Sequence, residues 1–476
     1  MIAILVDFGS TFTKVSAVDL ARAQLLGRSQ SPSTVLTDVR EGLLRALVSL
    51  HERHRLFDEM PQDLSILNDK FVLASSSAAG GLRIVVVGNV PGLTVEAANQ
   101  AALGAGAKVV GATAFKLNAT KLADLELLRP DMILLTGGVD GGDAATILHN
   151  AALLAQSSLA VPIVVAGNRL AAEVVADLLR REGKEVLCVA NVMPRAGKLN
   201  VEPAREAIRE IFMARITQAK GLDGLAGIVP VVLPTPMAVL EGVRLGAEGA
   251  AAEAGWGDML VVDVGGATTD VHSIGYGHAG GENVIVQSMA EAYAKRTVEG
   301  DLGIRYNAGT ILERVGEATL LEDLQCGFGH GAVTGAMLRG YVEQIGHDTS
   351  TLPQADWHGA ADAALARAAV DIAIARHVGR RERIVAREGE AWLHYGKDMR
   401  DTHTLIGTGG VFVHNPSAAF ILAQREQSDD RVQALRPRQP RIYLDTSYLL
   451  YAVGLLAQEY PSVGLRLFQQ HMQQIG

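Results

Sequence analysis

Apolar residues along this chain come in short blocks separated by glycine-rich or polar breaks. Ile2, Ala3, Ile4, Leu5 and Val6 run unbroken into Asp7, the signature of a strand buried on both faces. Between about residues 71 and 190, β-rich runs at 84–88, 132–135, 163–166 and 185–190 alternate with helical windows at 95–103, 144–155 and 171–181. That alternation predicts βαβ crossovers and a mostly parallel sheet covered on both faces. Glycines follow several of these strands, as in Thr136-Gly137-Gly138 and Gly167-Asn168, at the ends where open α/β sheets place binding crevices. A further helix is predicted from Glu202-Pro203, with proline in its first turn and Ile208, Ile211, Phe212 and Ile216 on one face; Gly221 is its expected end. Beyond Asp258 the pattern changes to hairpin-like strands. Helices are expected through the 290–400 region, where Arg380-Arg381-Glu382-Arg383 reads as a solvated helix face.

Composition narrows the class. A length of 476 residues suggests roughly three domains at about 150 residues each. The chain is 48% hydrophobic and 20% charged with a formal charge of −9, which describes a mildly acidic globular protein. Nucleic acid is excluded as the main partner, because backbone affinity needs clustered Lys and Arg; nucleotides are not excluded. Aromatic residues at 5% and 51 glycines favour tight strand-to-helix junctions over a β-sandwich. Cys188 and Cys326 are too far apart to form a CxxC motif, so a reducing compartment fits best. The N-terminus lacks a basic leader region, and the 151–167 stretch is broken by Gln156, Ser157, Ser158 and Pro162, short of the roughly 20 apolar residues a membrane span needs. A cytoplasmic protein with no membrane contact is expected.

An internal repeat carries the chemistry. Residues 7–18, Asp7-Phe8-Gly9-Ser10-Thr11-Phe12-Thr13-Lys14-Val15-Ser16-Ala17-Val18, align without gaps to 263–274, Asp263-Val264-Gly265-Gly266-Ala267-Thr268-Thr269-Asp270-Val271-His272-Ser273-Ile274. Each follows an apolar strand and leads into a second one. Glycine in the turn lets successive N–H groups point at an anion, and the hydroxyls of Ser10, Thr11, Thr268 and Thr269 add donors. Two such hairpins facing each other would grip a polyphosphate. The aspartates at their strand ends suit Mg²⁺, which keeps most of its waters and takes few protein ligands. Lys14 stands either to neutralise phosphate or to point outward on its strand. A third element, Leu405-Ile406-Gly407-Thr408-Gly409-Gly410-Val411, is a strand entering a glycine turn, with a helix expected from near Pro416; its bare backbone leaves room for a flat base and ribose.

This ordered set resembles the actin, Hsp70 and sugar-kinase ATPase superfamily, with phosphate motifs at 7–14 and 263–271 and an adenosine motif at 407–411. Pro234-Thr235-Pro236-Met237-Ala238-Val239-Leu240-Glu241-Gly242 resembles the connecting helix of that superfamily. Chaperone-like members carry a water-orienting glutamate just before this proline; here Leu233 stands in its place, so slow hydrolysis is expected. Over nearly its whole length the chain also resembles the MutL or GlmL family, accessory proteins of coenzyme B12-dependent glutamate mutase. The resemblance lies in Ser75-Ser76-Ser77-Ala78-Ala79-Gly80-Gly81-Leu82, Ala101-Ala102-Leu103-Gly104-Ala105-Gly106-Ala107-Lys108, Asn191-Val192-Met193-Pro194, Thr297-Val298-Glu299-Gly300-Asp301-Leu302-Gly303 and the 448–458 helix. It implies an ATP-driven factor that exchanges damaged cobalamin out of a mutase.

Several competing motifs have plainer readings. Asp270-Val271-His272-Ser273-Ile274-Gly275 spells the Asp-x-His-x-x-Gly of B12 mutases, but His272 lies on the return strand of the hairpin rather than in a loop opening a helix. Gly275-Tyr276-Gly277-His278-Ala279-Gly280 matches Gly-x-Gly-x-x-Gly, yet a strand follows instead of a helix, so a hairpin turn is expected. Gly197-Lys198 lacks the rest of a Walker A loop. Cys326 and His330 read as incidental. Activators of 2-hydroxyacyl-CoA dehydratases share a similar start but hold a cluster through paired cysteines that this chain lacks.

Together these readings give an α/β fold: an actin-like ATPase of duplicated ribonuclease H-like subdomains at 1–75 and 223–476, with an inserted Rossmann-like α/β domain at 76–200 and a connecting helix at 201–222. ATP and Mg²⁺ are the expected ligands. Asp7, Asp263 and Asp270 would hold metal-bound water; Gly9, Ser10, Thr11, Lys14, Gly265, Gly266, Thr268 and Thr269 would receive phosphates; Gly407, Gly409 and Gly410 would lie under adenosine. Partners would be subunits of an adenosylcobalamin-dependent mutase, and an oligomer is compatible. A small-molecule kinase of the same superfamily and an actin-like filament remain open.

Overall fold

The computed structural model describes residues 1–476 apart from 10–11, 35–36, 78–81, 217–224, 226, 252, 278–279, 281–282, 288–290, 350, 387–388, 426–430 and 476. The chain divides into two compact units, Met1–Leu245 with Leu450–Leu467, and Gly246–Leu449 with Phe468–Gly476.

In the first unit, Ile2–Phe8 is the middle strand of a five-stranded sheet. Ala3, Ile4, Leu5, Val6 and Phe8 are wholly buried, which is why this run is continuously apolar rather than alternating. Phe12–Asp19 and Gln24–Pro32 continue from it as an antiparallel meander, while Phe71–Ser76 and then Val231–Pro234 lie parallel to it on the other side. Helix Val39–His54 begins where Asp38 accepts from the Arg40 N–H, and buries Leu43, Ala46, Leu47 and Leu50. Helices Thr235–Glu248 and Leu450–Leu456 meet backbone to backbone. A Cβ on Gly454 would lie 1.7 Å from the Ala238 carbonyl oxygen, so that crossing requires glycine.

A separate five-stranded sheet lies between Phe71–Ser76 and Val231–Pro234 in the chain. It is entirely parallel, in the order Lys108–Thr113, Arg83–Val87, Met132–Leu135, Ile163–Val165, Val186–Cys188. Helices Glu96–Gly104, Ala145–Ala155 and Arg169–Arg181 occupy the expected windows. The edge strand Lys108–Thr113 escaped the sequence pattern, because Gly111 and Ala112 dilute its β signal and its residues are half-buried or exposed. Helix Glu202–Ile216 also forms as expected, burying Ile208 and Phe212; the expected stop at Gly221 lies outside the described residues.

The second unit repeats the first sheet. Met259–Val264, Thr269–Ile274 and Ala294–Glu299 form the antiparallel meander, and Thr404–Thr408 and Arg441–Asp445 lie parallel to the first of these; Met472–Gln474 adds an antiparallel edge. Strand order and strand sense match those of the first unit. The duplicated, ribonuclease H-like α/β arrangement is therefore present. Helix Asp356–His377 is alanine-rich and buries Ala360, Ala361, Ala364, Ala368 and Ala373, the composition of a helix enclosed on most sides.

Two expectations are corrected here. The run Arg380–Ala386 is a strand, not a helix: it pairs with Gly389–Tyr395 and Val432–Ala434 in a four-stranded sheet. The Arg381 guanidinium lies 4.2 Å over the Trp392 ring and donates to Gln433, and Arg380 lies 4.8 Å over Tyr395, so cross-strand aromatics hold what the charge pattern alone would leave to solvent. Nor does the glycine-rich run after Ile274 turn back as a hairpin. The next strand, Val284–Val286, pairs with Gly389–Tyr395 in that other sheet. No helix among the described residues is long and apolar enough to cross a membrane.

Candidate functional site

In the first hairpin, Asp7 faces Lys14 and Phe8 faces Thr13, and the Gly9 N–H closes the turn on the Phe12 carbonyl at 3.1 Å. A Cβ on Gly9 would lie 2.6 Å from that carbonyl oxygen. Ser10 and Thr11 lie outside the described residues. Asp7 is 1% exposed, and its carboxylate is surrounded by donors. Lys14 Nζ reaches Oδ2 at 3.2 Å, while Ser75 Oγ and Thr235 Oγ1 donate to Oδ1 at 3.1 and 2.5 Å. These residues come from neighbouring strand ends. Ser75 is level with Asp7 on the adjoining parallel strand, and Thr235 opens the helix that follows Val231–Pro234. Deeper in, the Tyr451 hydroxyl bonds Ser16 Oγ at 3.0 Å and donates to the Leu5 carbonyl at 3.3 Å; burial pushes its phenol pKa up.

The second hairpin has the same frame. Asp263 faces Asp270, and the Gly265 N–H closes on the Thr268 carbonyl at 2.9 Å. Behind this loop runs the segment that follows Ala294–Glu299. The Ile304 N–H bonds the Gly265 carbonyl at 3.2 Å, those of Arg305 and Tyr306 bond the Gly266 carbonyl at 3.0 Å, and Asn307 Nδ2 bonds the Ala267 carbonyl at 3.0 Å. Thr269 Oγ1 donates to the Leu302 carbonyl at 2.7 Å. Gly303 makes the flush contact possible: a Cβ there would lie 2.2 Å from the Ala267 carbonyl carbon. In a trans peptide the carbonyl and the next N–H point opposite ways, so tying back the carbonyls of 265–267 turns the N–H groups of 266–268 to the other side. That is the geometry an anion-binding loop needs.

Both oxygens of Asp270 are engaged. Arg296 reaches Oδ1 through Nε at 3.0 Å and Nη2 at 2.5 Å, and Thr268 Oγ1 donates to Oδ2 at 3.0 Å. His272 is buried beside them with Nδ1 unpartnered among the described residues, and burial followed by the Arg296 charge pushes its imidazole down to about 3. It sits inside a strand, not in a loop that could offer it outward.

Thr408 is level with Asp263 on the neighbouring parallel strand, and Gly409 follows with φ +113°. A Cβ on Gly409 would lie 2.4 Å from the Val264 carbonyl oxygen and 2.9 Å from Asp263 Oδ1, so the third motif presses against the second hairpin. Gly410 has nothing within 4 Å of a would-be Cβ and is open, whereas one on Gly407 would meet Leu422 and Phe412 in the core. The helix starts at Gly410, earlier than Pro416, and stops at His414; Ala418–Leu422 follows. A cavity of about 450 Å³ beside it is lined by Phe412, Val413, Asn415, Pro416, Leu444 and Ile475. Sequence reasoning missed Asp445, which is 1% exposed, accepts from Thr408 Oγ1 at 3.2 Å and caps the Leu449 N–H at 2.9 Å.

Among the described residues no three or more His, Cys, Asp or Glu side chains gather as a metal cluster. A single buried carboxylate flanked by hydroxyls, as at Asp7, fits a cation that keeps its own waters, which is the habit of Mg²⁺. Leu233, 3% exposed, supplies no acid–base group at its strand end. Cys326 and Cys188 are free thiols.

A family model described as MutL protein matches residues 3–472. Protein MutL of Clostridium tetanomorphum is 38% identical over 474 residues, covering 98% of each chain. Among solved structures, the activator of the 2-hydroxyisocaproyl-CoA dehydratase from Clostridium difficile with bound ADPNP aligns over 100% of both chains at TM-score 0.28 and 9% identity. Gluconate kinase from Lactobacillus acidophilus aligns over 100% of this chain and 92% of its own at TM-score 0.34 and 10% identity. These structural likenesses are slight; the fold reading rests on the two sheets themselves.

Proposed function

The chain belongs to the MutL protein family, and from that premise we propose that it is an ATP-dependent accessory protein that reactivates an adenosylcobalamin-dependent mutase such as glutamate mutase. The observation that supports ATP as the driving ligand is the duplication itself: two Asp-x-Gly hairpins, in register and each on the first strand of an identically ordered sheet.

Both hairpins serve the phosphates of ATP. The N–H groups of 266–268 and the turn at 9–11 receive phosphate oxygens, with Thr268, Ser10 and Thr11 as further donors; Thr269, expected to join them, is buried and gives its hydroxyl to the Leu302 carbonyl, so it fixes the loop instead. Lys14 moves from Asp7 toward a phosphate when the nucleotide arrives. Gly409 and Gly410 lie under the adenosine, with Gly407 shaping the strand beneath. Asp7, Asp263 and Asp270 hold the waters of Mg²⁺, which supplies charge neutralisation to the phosphates when bound. Ser75 and Thr235 fix the Asp7 carboxylate, and Arg296 fixes that of Asp270. Phosphoryl transfer relies mainly on positioning and charge neutralisation, so a strand end without a general base, as at Leu233, gives slow turnover suited to timing a partner. The 76–200 insertion, which ATP chemistry does not require, is the handle on the mutase.

The test is ATP hydrolysis by the purified chain, alone and with candidate mutases carrying inactivated cobalamin. The proposal expects slow acceptor-free turnover, accelerated by one mutase, with activity of that mutase restored. A flat response to every B12 mutase together with strong stimulation by one metabolite and a phosphorylated product would replace it with the small-molecule kinase.

A further inference from the structure

A second cavity of about 460 Å³ opens in the Gly246–Leu449 unit, at the end of the central sheet where strands Thr404–Thr408 and Arg441–Asp445 begin, opposite the Asp263 end. Its lining combines the apolar Leu422, Pro437, Pro440 and Ile442 with Arg425, Arg436 and Arg438.

The arginines are only partly neutralised. Arg436, with its side chain 10% exposed, donates from Nη1 to Asp371 Oδ1 at 2.5 Å and from Nη2 to the Asp371 carbonyl at 3.1 Å. Arg425 bonds Asp323, which also pairs with Arg367 at 2.8 Å. The Nε–H groups of both Arg425 and Arg436 are buried with no acceptor among the described residues. A buried N–H donor without an acceptor costs about 1–3 kcal/mol, so Asp323 and Asp371 leave part of the donor capacity of these two guanidiniums unused. Positive charge accumulates around them: burial, then the charges of Arg400 and Arg438, hold the Arg381 guanidinium below its ordinary range. Among the described residues, the guanidiniums at 367, 400, 425 and 436 share three hydrogen-bonded carboxylates, Asp323, Asp371 and Asp398, with the charge of Asp401 also acting on Arg400. Arg438 stands exposed on the lining, where an incoming ligand meets it.

We propose that this cavity is a second ligand site, for a small organic oxyanion whose head is a phosphate ester or a carboxylate and whose body is apolar. Arginine forks match the paired oxygens of either head, and the proline and aliphatic lining covers the body. The site shares no residue with the nucleotide motifs.

Isothermal titration of the full chain with phenyl phosphate, benzoate and the neutral benzyl alcohol tests this. Saturable binding is expected for one or both anions, weakening as NaCl is raised, with no binding of the alcohol; whichever anion binds more tightly identifies the head group. Arg438→Ala, an exposed change, should weaken binding about tenfold, near 1.4 kcal/mol. Arg436→Gln should abolish it, and a folded Asp263→Ala should leave it unchanged. Equal binding of benzyl alcohol, unaltered binding in both arginine variants, or loss of binding in folded Asp263→Ala would overturn the site.

Discussion

The two hairpins share a backbone but not an electrostatic design. In the first, the residue across from the strand-end aspartate is Lys14, so Asp7 is a buried carboxylate balanced within the hairpin by a cation and held by the hydroxyls of Ser75 and Thr235. In the second, the matching position is Asp270, so two carboxylates face each other and the neutralising charge, Arg296, comes from the third strand of the meander. The second turn is braced from behind by the segment after Glu299, and the first is held at its Gly9 carbonyl by Ser33 Oγ at 2.8 Å. Duplication preserved what sets the path of the chain and left the charge free to diverge. In the proposed reading this makes the first hairpin a poised partner for phosphate and metal, and the second a preorganised receptor.

The largest effect should come from the strand-end aspartates. Asp7→Ala and Asp263→Ala should each lower Mg-dependent ATP turnover at least about 100-fold in folded protein, the scale of losing a preorganised charge-stabilising group. Phosphate release assays with circular dichroism check this, and full activity in either variant breaks the functional equivalence of the hairpins. Next come the two neutralising cations. Arg296→Met strands Asp270 with one hydroxyl donor among the described residues and should destabilise the fold by about 3 kcal/mol, whereas Lys14→Met leaves Asp7, though more buried, with the donors Ser75 and Thr235 and should cost about 1 kcal/mol in urea unfolding. Equal losses would erase the electrostatic contrast.

Gly303→Ala should cost about 2 kcal/mol by forcing the backbone of Ala267 away, and should weaken ATP binding while leaving the first hairpin intact. An unchanged variant would show that the bracing is dispensable. At neutral pH the smallest effect belongs to His272, whose contribution to stability appears only in acid. Because His272 is held to about 3 in the folded chain against 6.5 ordinarily, the unfolded chain binds the proton first, and stability falls as pH drops from about 6.5 toward 3. His272→Ser, which copies Ser16 of the first hairpin, should flatten that slope by up to about 1.4 kcal/mol per pH unit. The readout is the slope in urea unfolding at several pH values; an unchanged slope would remove His272 as its source.

Legibility followed locality. The repeat, both strand-end aspartates and most of the parallel insertion could be read from the sequence, because turn glycines and apolar runs act within a few residues. What escaped depends on distant segments. Thr235 and Ser75 meet Asp7 only because their strand ends lie side by side, and Asp445 joins Thr408 for the same reason. The run from Thr297 to Gly303 was recognisable only as family-like; its bracing role emerges once Gly303 touches Ala267. Arg380–Arg383 misled because its charges suggested a solvated helix, whereas Trp392 and Tyr395 across the sheet make it a strand.

The most direct measurement is the stoichiometry of ATP binding in the presence of Mg²⁺, by isothermal titration of the wild-type chain, Asp7→Ala and Asp263→Ala. A single nucleotide per chain, lost in either variant, is the predicted result. Two nucleotides per chain with each variant losing only one, or undiminished binding in one folded variant, would contradict a nucleotide whose phosphates both hairpins serve.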